Sequence, residues 1–203
     1  MMSRESTDHR ALKTIEKHGG QIRMAEAIRK GIARRTLYRL AEERKLERIT
    51  RGVYRLANLS EISYPDLVTV SLRAPKSVIC LISALSFHGL TTQVPHSVWI
   101  AIPRDSRPPR IDYPPVSWVE FSGSAHASGI EVHTLDGTKV RIYGPEKTLA
   151  DCFKYRNRIG MDVVLEALNV YMRGDQRDID SLLRFAGICR VANVMKPYLE
   201  ALV

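Results

Sequence analysis

The sequence has 203 residues, of which 44% are hydrophobic and 26% are charged, a composition typical of one ordinary domain or of a small domain joined to a medium one. Its longest apolar run, Ser77 to Phe87, is too short to cross a bilayer, and the first ten residues lack the apolar segment of a signal peptide. We therefore expect a cytoplasmic protein without a membrane partner. The net charge of +9 indicates that the protein could bind an anionic partner.

The positive charge is concentrated in the first third of the chain. Residues 1–59 contain 15 Lys and Arg against 7 Asp and Glu, whereas residues 60–203 contain 16 against 15. A basic field over one small unit attracts a polyanion and gains free energy from released counterions. This placement favours a nucleic-acid partner over a merely solvated surface.

The N-terminal third predicts three helices followed by a hairpin. Apolar periodicity and terminal glycines predict helices over His9–His18, Arg23–Lys30 and Ala33–Lys45, the third with Leu37, Leu40, Ala41 and Arg44 on its inner stripe. Leu46 to Ile49 and Val53 to Leu56 alternate apolar with polar residues across the Thr50–Gly52 turn. This order is that of a winged helix-turn-helix, although a small helical protein-docking module would share it.

In such a fold the third helix enters the major groove of DNA. Its outer side is predicted to carry Arg34, Arg35, Tyr38 and Arg39. An arginine can donate two hydrogen bonds to one guanine, so these side chains are candidates for reading bases. Candidates for phosphate contacts are Arg48, Arg51 and Arg55 on the wing, with Arg23 and Lys30 on the second helix. Tyr54 fits either a phosphate contact or a packed position.

The polar segment Asn58 to Pro65 is the predicted domain boundary, giving a DNA-binding domain over residues 1–59 and a second domain over residues 60–203. Helices are predicted over 65–73, 76–88, 145–155, 161–172, 178–186 and 191–202. Strands are predicted over 97–102, 116–121, 130–135 and 139–143, with a Pro- and Arg-rich loop over 103–115. The fold class is therefore α+β, a winged helix plus a domain with a small, mostly antiparallel sheet and terminal helices.

A second basic cluster is predicted in the C-terminal domain. It comprises Lys147, Lys154, Arg156 and Arg158, three of which share a helical spacing. The cluster could contact a nucleotide, RNA or an acidic partner surface. It could equally be a solvated helix face that pairs with Glu146 and Asp151.

The sequence gives little support for an enzyme. It contains no HExxH, GxSxG or phosphate-loop motif, and Cys80, Cys152 and Cys189 lie in apolar surroundings typical of core residues. A nuclease would need paired carboxylates, for which Asp112, Glu120 and Glu131, expected on adjacent strands, are the nearest set. We predict no catalytic residue, metal or cofactor.

Three segments together resemble a known family. The wing Arg48 to Arg55, the segment ISALSFHGL, and Pro145 to Asp151 with its continuation through Arg156 make nearly the whole chain similar to the AbiEi antitoxins of type IV, abortive-infection toxin-antitoxin systems. The resemblance implies an N-terminal winged helix that represses its own operon at inverted repeats. It also implies a C-terminal domain that opposes a nucleotidyltransferase-like toxin without requiring a stable complex. The loop at 104–115 matches no motif of that family.

Two function hypotheses follow. The first is a DNA-binding autorepressor that is also an antitoxin, and the second is an interaction protein whose basic domain binds RNA or the toxin instead of operator DNA. No heptad pattern supplies a dimer seam, so we expect a monomer in solution and two copies on a repeated DNA site.

Overall fold

A computed structural model describes residues 4–59 and 63–202. Residue contacts divide the chain into two units: unit 1 comprises Met1–Arg73 and Thr134–Val140, and unit 2 comprises Ala74–His133 and Arg141–Val203. The predicted linker Asn58 to Pro65 includes residues 60–62, which lie outside the described residues. The helix predicted after that linker is present and begins at a proline.

Unit 1 has the predicted order of three helices and a hairpin, with one strand that was not predicted. The elements are α1 (Arg4–Glu16), β1 (Gln21–Arg23), α2 (Met24–Arg29), α3 (Arg34–Glu42), β2 (Leu46–Thr50), β3 (Val53–Leu56) and α4 (Pro65–Arg73). The antiparallel sheet has the order β1-β3-β2, so β3 is its central strand. Gly52 has φ of 76° in the wing turn, as its glycine predicted. The fold is a winged helix with a three-stranded sheet.

One apolar core holds the elements of unit 1 together. Ile15 from α1, Leu37 and Leu40 from α3, and Tyr54 from β3 are all at most 1% exposed and belong to the same cluster. The predicted inner stripe of α3 is confirmed for the two leucines. Arg44 does not extend it, because the helix ends at Glu42 and Arg44 adopts a positive φ of 56°. Tyr54 therefore packs inward and is not available to phosphate.

Unit 2 combines a five-stranded sheet with helices. Its elements are β4 (Val78–Ile79), α5 (Leu81–Phe87), β5 (Val98–Pro103), β6 (Val116–Phe121), α6 (Ser124–Ala127), β7 (Ile130–Leu135), β8 (Thr138–Tyr143), α7 (Pro145–Lys154), α8 (Arg156–Ile159), α9 (Met161–Arg173), α10 (Ile179–Cys189) and α11 (Ala192–Glu200). The tip of the β7–β8 hairpin, Thr134–Val140, belongs to unit 1. The α+β class is confirmed. The predicted helix over 76–88 is wrong in its first part, because Val78 and Ile79 form a strand, in keeping with their β-branched side chains.

The five strands form a mixed sheet, not a mostly antiparallel one. The order is β6-β5-β4-β8-β7, with β4 parallel to β8 and β5 parallel to β6. Helices or long loops separate the strands of both parallel pairs, which is the connection that parallel pairing requires. The predicted β7–β8 hairpin is present, and its two turn residues, Asp136 and Gly137, have φ of 46° and 76°.

The core of unit 2 is built around α7. This helix is buried over seven consecutive residues, Lys147 to Phe153, and its apolar side chains cluster with those of α5, α9 and α10. Cys80, Cys152 and Cys189 are buried free thiols, as predicted for core residues. Burial raises the pKa of the Cys189 thiol to about 12, which keeps it protonated.

Candidate nucleic-acid interface

The outer face of α3 presents cationic and aromatic side chains to solvent. Leu37 and Leu40 anchor the helix in the core, and the opposite side exposes Arg34, Arg35 and Tyr38, the last at 47%. Within the described part of the chain, neither arginine forms an ion pair with a carboxylate. A guanidinium that is exposed and not neutralised by a neighbour can donate to a base edge or a phosphate.

Arg39 lies differently from its neighbours on α3. Its guanidinium forms an ion pair with Asp8 of α1, and its Nε lies 3.9 Å from Glu43 Oε1. The side chain is 22% exposed. The predicted first helix began at His9, whereas α1 begins at Arg4 and so places Asp8 opposite Arg39. This arginine joins α1 to α3, and its predicted base contact has no geometric support.

The wing presents two of its three predicted arginines. Arg48 on β2 and Arg51 in the β2–β3 turn are both exposed. Arg55 is only 6% exposed, and its Nη1 lies 3.6 Å from Glu47 Oε2. The prediction of a phosphate contact for Arg55 is wrong, because the additional strand β1 makes β3 central and covers its second side.

The second helix contributes its end, not its start, to the basic surface. Lys30 is exposed immediately after α2, while Arg23 is half-buried as the last residue of β1. A cation that the sequence reasoning missed is Arg10 of α1, which lines the same recess as Lys30 and Arg35. The sequence pattern that indicates this position is the helical spacing of Thr7, Arg10, Ala11 and Thr14, which places them on one face of the first helix.

The predicted C-terminal cluster does not assemble as one surface. Lys147 is fully buried, and its Nζ donates a hydrogen bond to Asp151 Oδ2 at 2.5 Å. Cys189 Sγ donates to the other carboxylate oxygen at 3.2 Å. The same lysine lies over the Tyr143 ring, 4.1 Å from its centroid. Lys147 was predicted to be exposed, either as an anion contact or as part of a solvated helix face, and both predictions are wrong.

The remaining members of that cluster lie nearer the surface. The Arg158 guanidinium stacks over the Trp99 ring at 4.7 Å and is exposed, and Lys154 is exposed at the end of α7. Arg156 is half-buried and its Nη1 donates to the Phe153 carbonyl at 2.9 Å. Lys154 and Arg158 therefore remain available to an anionic partner.

The carboxylates considered for a nuclease are not brought together. Glu120 lies on β6 and Glu131 on β7, the two outermost strands of the sheet, which four strand spacings of about 4.8 Å each place about 19 Å apart. Glu131 accepts from His133 at 2.9 Å instead. The expectation that these residues sit on adjacent strands is wrong. Among the described residues, no helix is both long and apolar enough to cross a membrane.

Comparisons with known proteins agree with the winged-helix geometry. Residues 9–57 match the family described as "Transcriptional regulator, AbiEi antitoxin", which confirms the resemblance over that segment and supports a DNA-binding antitoxin regulator in general terms. No curated protein matches the chain. The crystal structure of the RV2827C protein from Mycobacterium tuberculosis is similar, with a TM-score of 0.59 and 16% identity over 90% of this chain and 71% of that one. At that identity the likeness shows a shared fold.

Proposed function

We propose that this protein, whose N-terminal unit carries the AbiEi regulator segment, represses its own operon by binding inverted repeats and acts as the antitoxin of a type IV system. The observation that carries the proposal is the outer face of α3, where Arg34 and Arg35 are exposed without carboxylate partners in the described chain. These side chains enter the major groove, and Tyr38 lies beside them against the sugar-phosphate wall or a base edge.

Phosphate contacts from two further elements fix the position of α3 on the duplex. Arg48 and Arg51 on the wing flank the groove on one side, and Lys30 at the end of α2 contacts the backbone on the other. Such contacts set register without reading sequence. Two copies on an inverted repeat, half-sites one helical turn apart, double the number of these contacts without a preformed dimer.

The C-terminal unit opposes the nucleotidyltransferase-like toxin, and no stable complex between the two proteins is needed. Its candidate contact surface is the exposed pair Lys154 and Arg158, with Arg156 contributing its partly exposed guanidinium. Replacing Lys154 and Arg158 with Gln should reduce rescue of toxin-arrested cells. The far-UV circular dichroism of the variant should match that of the parent if the fold is intact, and unchanged rescue would remove these residues from the antitoxin surface.

Footprinting of the purified protein on the DNA upstream of its own gene tests the repressor function. We expect two protected half-sites related by inversion. Gel-shift titrations then compare Arg34→Ala and Arg35→Ala with Arg177→Ala, an exposed arginine of unit 2 that serves as the matched charge control. Each α3 variant should lose about 1–3 kcal/mol of binding free energy on the specific site and little on random DNA.

The same titrations distinguish operator binding from the alternative in which the basic domain binds RNA or the toxin. Equal affinity for the upstream site and for random duplex, with no footprint, would contradict operator recognition. Preferential binding of single-stranded RNA under the same salt conditions would favour the alternative hypothesis.

A further inference from the structure

A recess separates α1 from the start of α3. One face of α1, carrying Thr7, Arg10 and Thr14 at helical spacing, forms one wall, and the α2–α3 turn with the first residues of α3 forms the other. Gly31 and Ala33 have no side chain long enough to fill the space between the walls. The result is an open cavity of about 600 Å³.

The lining of this cavity is strongly cationic. Arg10, Lys30, Arg35 and Arg39 all contribute to it, and no Asp or Glu is among its lining residues. Within residues 4–59 and 63–202, the first three of these cations form no ion pair. Arg39 alone is neutralised, by Asp8, and its buried Nε makes no hydrogen bond in the described part of the chain.

Backbone groups add to the same field. The cap residue Ala33 supplies no side-chain acceptor to the first N–H groups of α3, a helix of nine residues. The Thr36 N–H donates to the Ala33 carbonyl at 2.9 Å, so the N–H groups of Arg34 and Arg35, which have no acceptor among the described residues, and the positive end of the helix dipole are left to an anion. The cavity thus combines three uncompensated cations with a helix terminus in one concave site.

We propose that this cavity binds a phosphate-bearing anion, supplied either by a free nucleotide or by a phosphodiester of the bound DNA. The guanidinium groups of Arg10 and Arg35 match phosphate oxygens in a two-bond geometry, and Lys30 supplies a third charge. A volume of about 600 Å³ lies within the range of small-molecule sites. Arg35 and Lys30 also belong to the proposed DNA surface, so a free anion here would compete with operator binding. The DNA source rests on the proposed function, and the free-nucleotide source does not.

Calorimetric titration of the full-length protein with inorganic pyrophosphate, without DNA, tests the free-anion source. Arg10→Gln should weaken binding at least about tenfold, because a charge-assisted contact is lost. Lys17→Gln removes the same charge just beyond the end of α1, outside the cavity lining, and should change the affinity less than about twofold. Lys30→Gln, on the opposite wall, repeats the test, and circular dichroism verifies that each variant folds.

Gel-shift titration of the same proteins on upstream and random duplex DNA tests the other source. The DNA source is tested in this way where pyrophosphate does not bind the free protein. In that case Arg10→Gln weakens both duplexes alike and lowers the salt slope by about one relative to Lys17→Gln.

The outcomes separate this proposal from the repressor function. Loss of pyrophosphate binding in Arg10→Gln supports the cavity even if no operator binding is found. The cavity proposal is overturned if Arg10→Gln and Lys30→Gln have the same pyrophosphate and DNA affinities as Lys17→Gln. A parent protein that still footprints its operator would then leave the proposed repressor function intact.

Discussion

The buried ion pair of α7 gives the sharpest stability prediction. Lys147 and Asp151 are both 0% exposed, and the lysine also lies 4.6 Å from the centroid of the Phe121 ring. Lys147→Met keeps the apolar stem and removes the charge, which leaves a carboxylate without its cation in the core. Breaking a buried pair in this way costs about 3–5 kcal/mol. We expect the free energy of unfolding of unit 2 to fall by that amount at neutral pH.

The size of this loss should depend on pH. Burial raises the pKa of the Asp151 carboxyl, and the Lys147 charge opposes that rise. Without the lysine the pKa rises further, so the folded variant holds a proton that the unfolded chain releases. Because the folded state then binds more protons above the unfolded pKa of about 3.9, stability decreases as pH increases through that range. Keeping the Asp151 carboxyl protonated in the folded variant costs about 4 kcal/mol of stability at pH 7 and about 2 kcal/mol at pH 5.5.

Urea unfolding followed by tryptophan fluorescence measures the effect. Both tryptophans of the chain, Trp99 and Trp118, lie on strands of unit 2, so the signal reports this unit. The matched variant Lys147→Met with Asp151→Leu removes both charges and should recover most of the loss. The reasoning is refuted if the single and double variants are equally unstable, or if the loss in the single variant is the same at pH 5.5 and pH 7.

Three further predictions concern single positions. Arg55→Met should leave the salt slope of DNA binding unchanged in gel shifts, since its guanidinium is buried, whereas a phosphate contact would lower the slope by about one. Gly137→Ala should destabilise unit 1 in thermal melts by more than the roughly 1 kcal/mol expected for Gly52→Ala. Both glycines have positive φ, but a methyl group at Gly137 would meet backbone atoms, whereas one at Gly52 would meet open space. Arg158→Gln should lower the stability of unit 2 by about 0.5–1 kcal/mol in urea, because its stacking on Trp99 is lost, and an unchanged midpoint would show that the contact contributes nothing.

Local pattern predicted most of the winged helix. The stripe of Leu37 and Leu40 predicts α3, and the Asp136-Gly137 turn predicts the β7–β8 hairpin, because both signals depend on residues within four positions of one another. The pattern misplaced Val78 and Ile79, since a strand of two residues carries no periodicity. It also missed β1, whose three residues form a strand only by pairing with β3.

The sequence by itself determined where the positive charge lies along the chain and which helix could carry it to DNA. Only the tertiary structure decided which cations remain available. Arg55 pairs across the sheet with Gln21, 34 residues earlier, Arg39 is held by Asp8, and Lys147 is enclosed by Phe121 and Tyr143. A charged side chain is buried or exposed according to partners that approach from distant parts of the chain, and no local spacing contains that information.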